Sequence, residues 1–248
     1  MEVGFKTDVG RQRKNNEDAC FVIPKENVYI LCDGVGGHNS GEVASRKTVQ
    51  GIADYVSNNS LEDVRTYRTV KTYFNNCIQK INYEILTESR NSEENRGMAT
   101  TLVLSYFVGN KLYVMNVGDS RAYVLRNGEL KQITEDHTYV NSLIKAGVIT
   151  EEQAASHKNK NMITRAVGAD YDVQADFFSV TVQTGDIILM CSDGLYGEVP
   201  EDVLAEMLQQ DRGMSEICAD LVEQANKNGG ADNITLITLK LTEDDING

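Results

Sequence analysis

Apolar and polar positions follow two different periods along the chain. Residues 100–108, 111–117, 121–126 and 129–133 are short runs rich in β-branched and aromatic side chains, each closed by a turn. Gly109-Asn110 and Asn127-Gly128 fit two-residue hairpin connections, in which glycine and asparagine supply the positive φ of primed turns. With Gly118-Asp119-Ser120 joining the middle pair, the pattern predicts a four-strand antiparallel meander.

Further strands are expected over residues 20–23, 28–32, 174–182, 186–191 and 233–241. Several are apolar throughout rather than alternating, as in Ile187-Ile188-Leu189-Met190-Cys191, which predicts burial of both faces. A period near 3.6 predicts helices over residues 42–57, 63–89, 139–146, 151–156, 201–210 and 215–226. In the longest, Val70, Tyr73, Phe74, Cys77, Ile78, Ile81 and Ile85 form one apolar stripe that should lie on a sheet. Pro200 before Glu201 and Asp202 makes a good helix start. Strands and helices come in blocks rather than in strict alternation, which favours an antiparallel α+β sandwich over a doubly wound sheet.

The chain of 248 residues, with 41% hydrophobic and 25% charged residues, has the composition of an ordinary globular protein. Its formal charge of −13 disfavours duplex nucleic acid and anionic membranes as partners. No apolar run is long enough to span a bilayer and residues 1–10 lack a signal-like stretch, so a cytoplasmic location is expected. Five cysteines without CxxC spacing read as buried, inert thiols. Residues 1–242 are expected to form one domain, with a polar excursion over 135–161 and a frayed tail over 243–248.

Candidate chemistry lies in the aspartates at strand ends. Asp33 follows the apolar run 28–32 and precedes Gly34-Val35-Gly36-Gly37-His38; Asp193 follows the run 186–191 and precedes Gly194. Asp18 stands just before the strand 20–23, and Asp232 opens the last one. Aspartate before glycine is by itself an ordinary turn. Here, however, two such pairs end fully apolar strands, and hard divalent cations take oxygen ligands of this kind. Carboxylates brought together without a cation would repel one another.

Eight segments carry a resemblance: Arg13-Lys14-Asn15-Asn16-Glu17-Asp18, Asp33-Gly34-Val35-Gly36-Gly37-His38, Gly41-Glu42-Val43-Ala44-Ser45, Thr100-Thr101, Gly118-Asp119-Ser120-Arg121, Thr164-Arg165-Ala166-Val167-Gly168, Ser192-Asp193-Gly194-Leu195 and Asp232-Asn233. In this order they resemble the motif series of the type 2C, metal-dependent protein phosphatases, most closely the bacterial branch. The resemblance covers residues 4–241.

It implies a four-layer αββα sandwich, with two central antiparallel β-sheets flanked by helices. It also implies hydrolysis of protein phosphoserine and phosphothreonine by a water activated between two manganese or magnesium ions. By similarity Asp33 bridges the two ions, the Gly34 carbonyl binds one, and Asp193 and Asp232 bind the other. Asp18 acts through a bound water, and Asp119 with Asp193 can hold a third ion. Arg13 resembles the arginine that grips the substrate phosphate, a role suited to the guanidinium fork. The proton donor stays open: His38 either donates to the leaving group or orients the glycine turn, and a metal-bound water could serve instead. His137 is expected to make a structural hydrogen bond.

By similarity the excursion 135–161 is a flap beside the active site, where Lys158 and Lys160 either meet a phosphoprotein or stay solvated. A monomer acting on phosphoproteins, opposite a bacterial-type serine/threonine kinase, is the implied setting. Alternatives are a catalytically silent binding module and a phosphatase of broader phosphoester specificity. The absence of a CxxxxxR segment argues against a cysteine nucleophile.

Overall fold

The structure is a computed structural model and describes residues 1–36 and 40–247. Along the chain the described residues form β1 (Glu2–Asp8), β2 (Asp18–Ile23), β3 (Val28–Val35), α1 (Ser40–Asn58), α2 (Tyr67–Asn91), β4 (Ala99–Thr100), β5 (Leu102–Val108), β6 (Lys111–Val117), β7 (Arg121–Arg126), β8 (Glu129–Gln132), α3 (Tyr139–Lys145), α4 (Glu151–Ala155), β9 (Asp176–Thr181), β10 (Ile187–Cys191), α5 (Asp193–Tyr196), α6 (Glu201–Leu208), α7 (Met214–Asn228), β11 (Ile234–Lys240) and α8 (Glu243–Asn247). One sheet has the order β1-β11-β10-β7-β8; the other has β2-β3-β5-β6-β9, with β4 pairing β3. The pairings are antiparallel in both.

Three apolar clusters give the four expected layers. Ile30, Cys32, Leu102, Leu104 and Met115 face Ile52, Phe74, Ile78 and Ile81 of α1 and α2. Tyr29, Leu31, Val103, Val114, Ile188, Met190, Ile237 and Leu239 fill the space between the sheets. Leu189, Cys191 and Leu236 face Leu204, Ile217 and Leu221 of α6 and α7. Along β10, successive residues therefore enter different clusters, so every position is apolar because both faces are covered. Truncating a fully buried residue such as Leu104 or Leu189 to alanine costs about 2–5 kcal/mol.

The expected meander is corrected in one respect. β5 and β6 form a hairpin in one sheet, while β7 and β8 form a hairpin in the other. Gly118-Asp119-Ser120 therefore carries the chain across the sandwich rather than turning it within a sheet. Gly118 makes this possible with φ +102°, and a Cβ there would lie 2.6 Å from Thr101 Cγ2. Of the two hairpin turns, Asn127 and Gly128 both have positive φ as expected; at the other, Gly109 alone does.

Two boundaries moved for local reasons. α2 begins at Tyr67 instead of residue 63, because Thr66 caps it reciprocally with Thr69 and the preceding Val64 amide is tied to the Leu61 carbonyl. Of residues 243–248, expected to fray, Glu243–Asn247 form α8, whose Asp245 accepts from the Met1 ammonium at 2.8 Å. Strand β1 was not anticipated. It pairs β11 along its length, but its tightest packing is Gly4 against the start of α7, which leaves Phe5 exposed and no apolar stripe.

Candidate active site

The acidic residues meet at one end of the sandwich because strands of both sheets finish there. β2 and β3 pair in a register that sets Asp18 opposite Asp33. In the other sheet, the Ser192 amide donates to the Thr235 carbonyl at 3.0 Å, bringing Asp193 beside the segment that leads into β11. The crossing loop delivers Asp119 to the same end. Arg13, Glu17, Asp33, Gly34, Asp119, Asp193 and Asp232 thus line a cleft of about 280 Å³.

Asp33 lies inside β3 rather than after it, and the Thr100-Thr101 pair fixes its backbone. The Asp33 amide donates to Thr101 Oγ1 at 2.9 Å, while the Thr101 amide and Thr100 Oγ1 both donate to its carbonyl at 2.8 Å. Thr100 is held from behind by two backbone bonds with Val167. Thr101 Oγ1 also stands 2.7 Å from Ser120 Oγ, linking the Asp33 strand to the Asp119 loop. A Cβ at Gly34 would lie 2.2 Å from the Gly41 carbonyl oxygen, so a larger residue would push β3 off α1.

Asp193 opens α5 directly after Ser192. The Ser192 hydroxyl donates to Asp18 Oδ2 at 2.7 Å, which places Asp18 behind the cleft and joins the sheets. Gly194 is needed where α5 crosses β11: a Cβ would lie 2.0 Å from the Asn233 carbonyl oxygen. Asn233 anchors the Arg13 segment, accepting from the Glu17 amide at 2.8 Å and donating to the Asn15 and Val9 carbonyls at 2.9 Å. Arg13 Nη2 donates to Asp232 Oδ2 at 2.7 Å.

The electrostatics are those of crowded, desolvated carboxylates. Burial pushes the Asp18 and Asp119 carboxyls up to about 7, and neighbouring aspartates add to it. Asp193 is raised to about 6 by burial and then by Asp232. Asp33 lies well above the usual carboxylate range, through burial and then the charges of Asp18, Asp193, Asp119 and Asp232. The Arg13 guanidinium, which burial alone would disfavour, is raised by Asp232 and, further off, Glu17 and Asp33.

The donor set fits divalent cations. Asp18 Oδ1 and Asp193 Oδ1 are buried with no hydrogen-bond partner, acceptors left for a cation or its water. Among the described residues no three acidic, imidazole or thiol side chains converge on a single point. An ion here would take one or two carboxylates and complete its shell with carbonyl oxygen and water, the habit of magnesium.

Each expected residue other than His38, which lies outside the described residues, is placed at or directly behind the cleft. His137 makes the structural bond expected of it. Its Nδ1 accepts from the Gly118 amide at 3.1 Å, which leaves Nε2 to carry the proton toward Asp176 Oδ2 at 3.1 Å. Glu17, Thr101, Ser192 and Asn233 were named in the sequence only as members of the quoted motifs, without a role. The bonds that Thr101, Ser192 and Asn233 make to distant backbone, and the anchoring of the Glu17 backbone, become visible only when the strand ends are brought together.

Comparison with known proteins identifies the family and the fold. Residues 9–237 match the family described as Protein phosphatase 2C. The chain is 39% identical over 243 residues to the serine/threonine phosphatase stp of Listeria monocytogenes, covering 97% of this chain and 96% of that one. The structure of the serine/threonine phosphatase Stp1 from Staphylococcus aureus superposes with a TM-score of 0.90 at 32% identity, covering 97% of this chain and 95% of that one. The catalytic domain of the phosphatase PstP, in complex with two manganese ions, superposes with a TM-score of 0.84 at 32% identity, covering 97% and 98%.

Proposed function

The chain belongs to the protein phosphatase 2C family, and from that premise we propose that Asp33, Asp193 and Asp232 hold the divalent cations with which it hydrolyses phosphoserine and phosphothreonine in proteins. The observation that carries this assignment is the meeting of carboxylates from both sheets in one cleft, with a buried oxygen that lacks a partner on Asp193 at the cleft and another on Asp18 behind it. Two manganese or magnesium ions bound there would neutralise the carboxylates, bring a water toward ionisation at neutral pH and offset charge on the phosphoryl oxygens.

The chain's own residues supply the rest. Asp33 and the Gly34 carbonyl would hold one ion, and Asp193 and Asp232, with Asp33, would hold the other. Asp18, held by Ser192 through one oxygen, would use its other to orient a water of the ion. Asp119, whose carboxylate bonds to no other described residue, can hold a third ion with Asp193. Arg13 stands half exposed at the rim, where its fork can take two phosphate oxygens while keeping Asp232 as a neighbour. His137 is committed to Gly118 and Asp176, which removes it as a donor to the leaving alkoxide.

Every residue of this cleft comes from one chain, so a monomer suffices. Five free cysteines suit a reducing, cytoplasmic setting. No described helix is long and apolar enough to cross a membrane. A serine/threonine kinase that writes the phosphoester is the natural counterpart. The assignment is tested by phosphate release from a phosphothreonine peptide, expected with manganese and abolished by chelator; release that is unaffected by chelator would refute it.

A further inference from the structure

The small cleft opens sideways into a larger cavity of about 800 Å³, the two sharing Asp119, Asn161, Asp193 and Asp232. That volume falls within the roughly 300–1,000 Å³ of sites that enclose a ligand. Its floor is rigid. The Tyr196 hydroxyl donates to the Asp119 carbonyl at 3.0 Å, and the Arg121 guanidinium stacks on the Tyr196 ring at 3.7 Å. Arg121 in turn holds the Asp136 carboxylate through Nε and Nη2, and the Asp136 carbonyl accepts from Asn141 of α3 at 2.6 Å. The walls are α3 and α4 on one side and the turn between α5 and α6 on the other.

Beyond the shared residues, five carboxylates face two cations here, Arg121 and Lys160. Glu135 is paired with Lys145 at 2.7 Å, Asp136 with Arg121, and Glu198 accepts from the Ala231 amide at 3.2 Å. Glu151 has no ion-pair partner among the described residues. Glu201 reaches only Arg121, at 3.7 Å, while remaining 54% exposed. At the inner end lies Asp119, 7% exposed, its carboxylate without a donor from another described residue. A polypeptide whose phosphothreonine sits at Arg13 must lay the neighbouring residues along one side of the cleft, and this cavity is continuous with it.

We propose that this cavity is a subsite for lysine or arginine residues flanking the phosphorylated residue of the substrate, with Glu151 and Glu201 as the residues that select them. The inference rests on the phosphatase reading of the adjoining cleft. Charge complementarity of this kind acts on encounter and on specificity, and it weakens with salt.

The test compares kcat/KM for phosphothreonine peptides flanked by lysine, alanine or glutamate, with p-nitrophenyl phosphate as a substrate too small to reach the subsite. The lysine peptide should be preferred over the alanine peptide by about fivefold at low salt, as two exposed charge pairs would give. The preference should vanish in Glu151→Gln/Glu201→Gln and turn toward the glutamate peptide in Glu151→Lys/Glu201→Lys. Turnover of p-nitrophenyl phosphate should be unchanged in both. Equal rates on all peptides, or a preference that survives the double glutamine variant, would overturn the proposal. So would loss of p-nitrophenyl phosphate turnover in that variant, which would assign these residues to the fold. If wild type with manganese hydrolyses neither peptide nor p-nitrophenyl phosphate, it is the phosphatase reading that fails, and the subsite with it.

Discussion

Arg13 and Asp232 form an ion pair across the mouth of the cleft, Nη2 to Oδ2 at 2.7 Å. The residue assigned to phosphate is thereby oriented by a residue assigned to a cation. Half exposed, the pair adds little to stability, and its value lies in aiming the guanidinium. Arg13→Lys keeps the charge but loses the fork, so KM for a phosphopeptide should rise more than kcat falls. Arg13→Ala should lower kcat/KM by roughly ten- to hundredfold, the worth of a charged hydrogen bond. Steady-state kinetics on one peptide checks both.

Asp33 and Asp193 stand within hydrogen-bonding reach of each other in a poorly solvated cleft, and the charge of Asp193 adds to the burial that holds Asp33 well above the usual carboxylate range. Asp193→Asn should therefore raise the melting temperature in chelator, by about 2–4 °C if the relief is near 1 kcal/mol. The same variant should lose most of the further rise that manganese gives wild type. Thermal melts with and without manganese read both effects without reference to activity.

Thr101 satisfies the Asp33 amide and contacts Ser120, and the side chains of Thr101 and Ser120 are buried. Thr101→Val is nearly isosteric but leaves that amide unpaired, at a cost of about 1–3 kcal/mol. Thr101→Ser should recover most of it. Urea denaturation of the two variants in chelator distinguishes the lost bond from lost volume.

These residues also mark how much of the molecule the sequence discloses. The sandwich, the apolar face of α2 and the aspartates were legible, because burial on both faces of β10 and a 3.6 period on α2 leave strong patterns. The split of the expected meander was not: a positive φ at Gly118 serves a hairpin and a sheet crossing equally well, and local pattern does not encode which sheet receives the next strand. β1 was hidden because a glycine, not an apolar stripe, is what packs it against α7. At the site, Asp33 and Asp193 were marked by apolar strands before them and glycine after. Ser192, Thr101 and Asn233 stood within the quoted motifs but carried no role there, since a buried hydroxyl or amide that serves a distant backbone looks like any other in one dimension.

His137 offers a pH signature. Burial lowers its pKa below the ordinary 6.5, with Asp176 opposing and Arg165 reinforcing the shift. The unfolded chain therefore binds a proton here before the folded chain does. The contribution is complete above about pH 6.5 and is lost as pH falls through the lower folded value. Protonation would also cost the bond from the Gly118 amide to Nδ1. The buried aspartates are shifted in the opposite sense, so the comparison must be between wild type and His137→Gln. Wild type should lose advantage progressively as pH falls below about 6.5 in urea titrations, while a constant difference would argue against a neutral His137.

The central claim is that the aspartates of this cleft hold the cations that drive hydrolysis. Phosphate release from a phosphothreonine peptide by Asp33→Ala/Asp193→Ala, in saturating manganese and with folding verified by circular dichroism, tests it most directly. The double variant should show no release above background. Turnover at the wild-type rate would contradict the assignment.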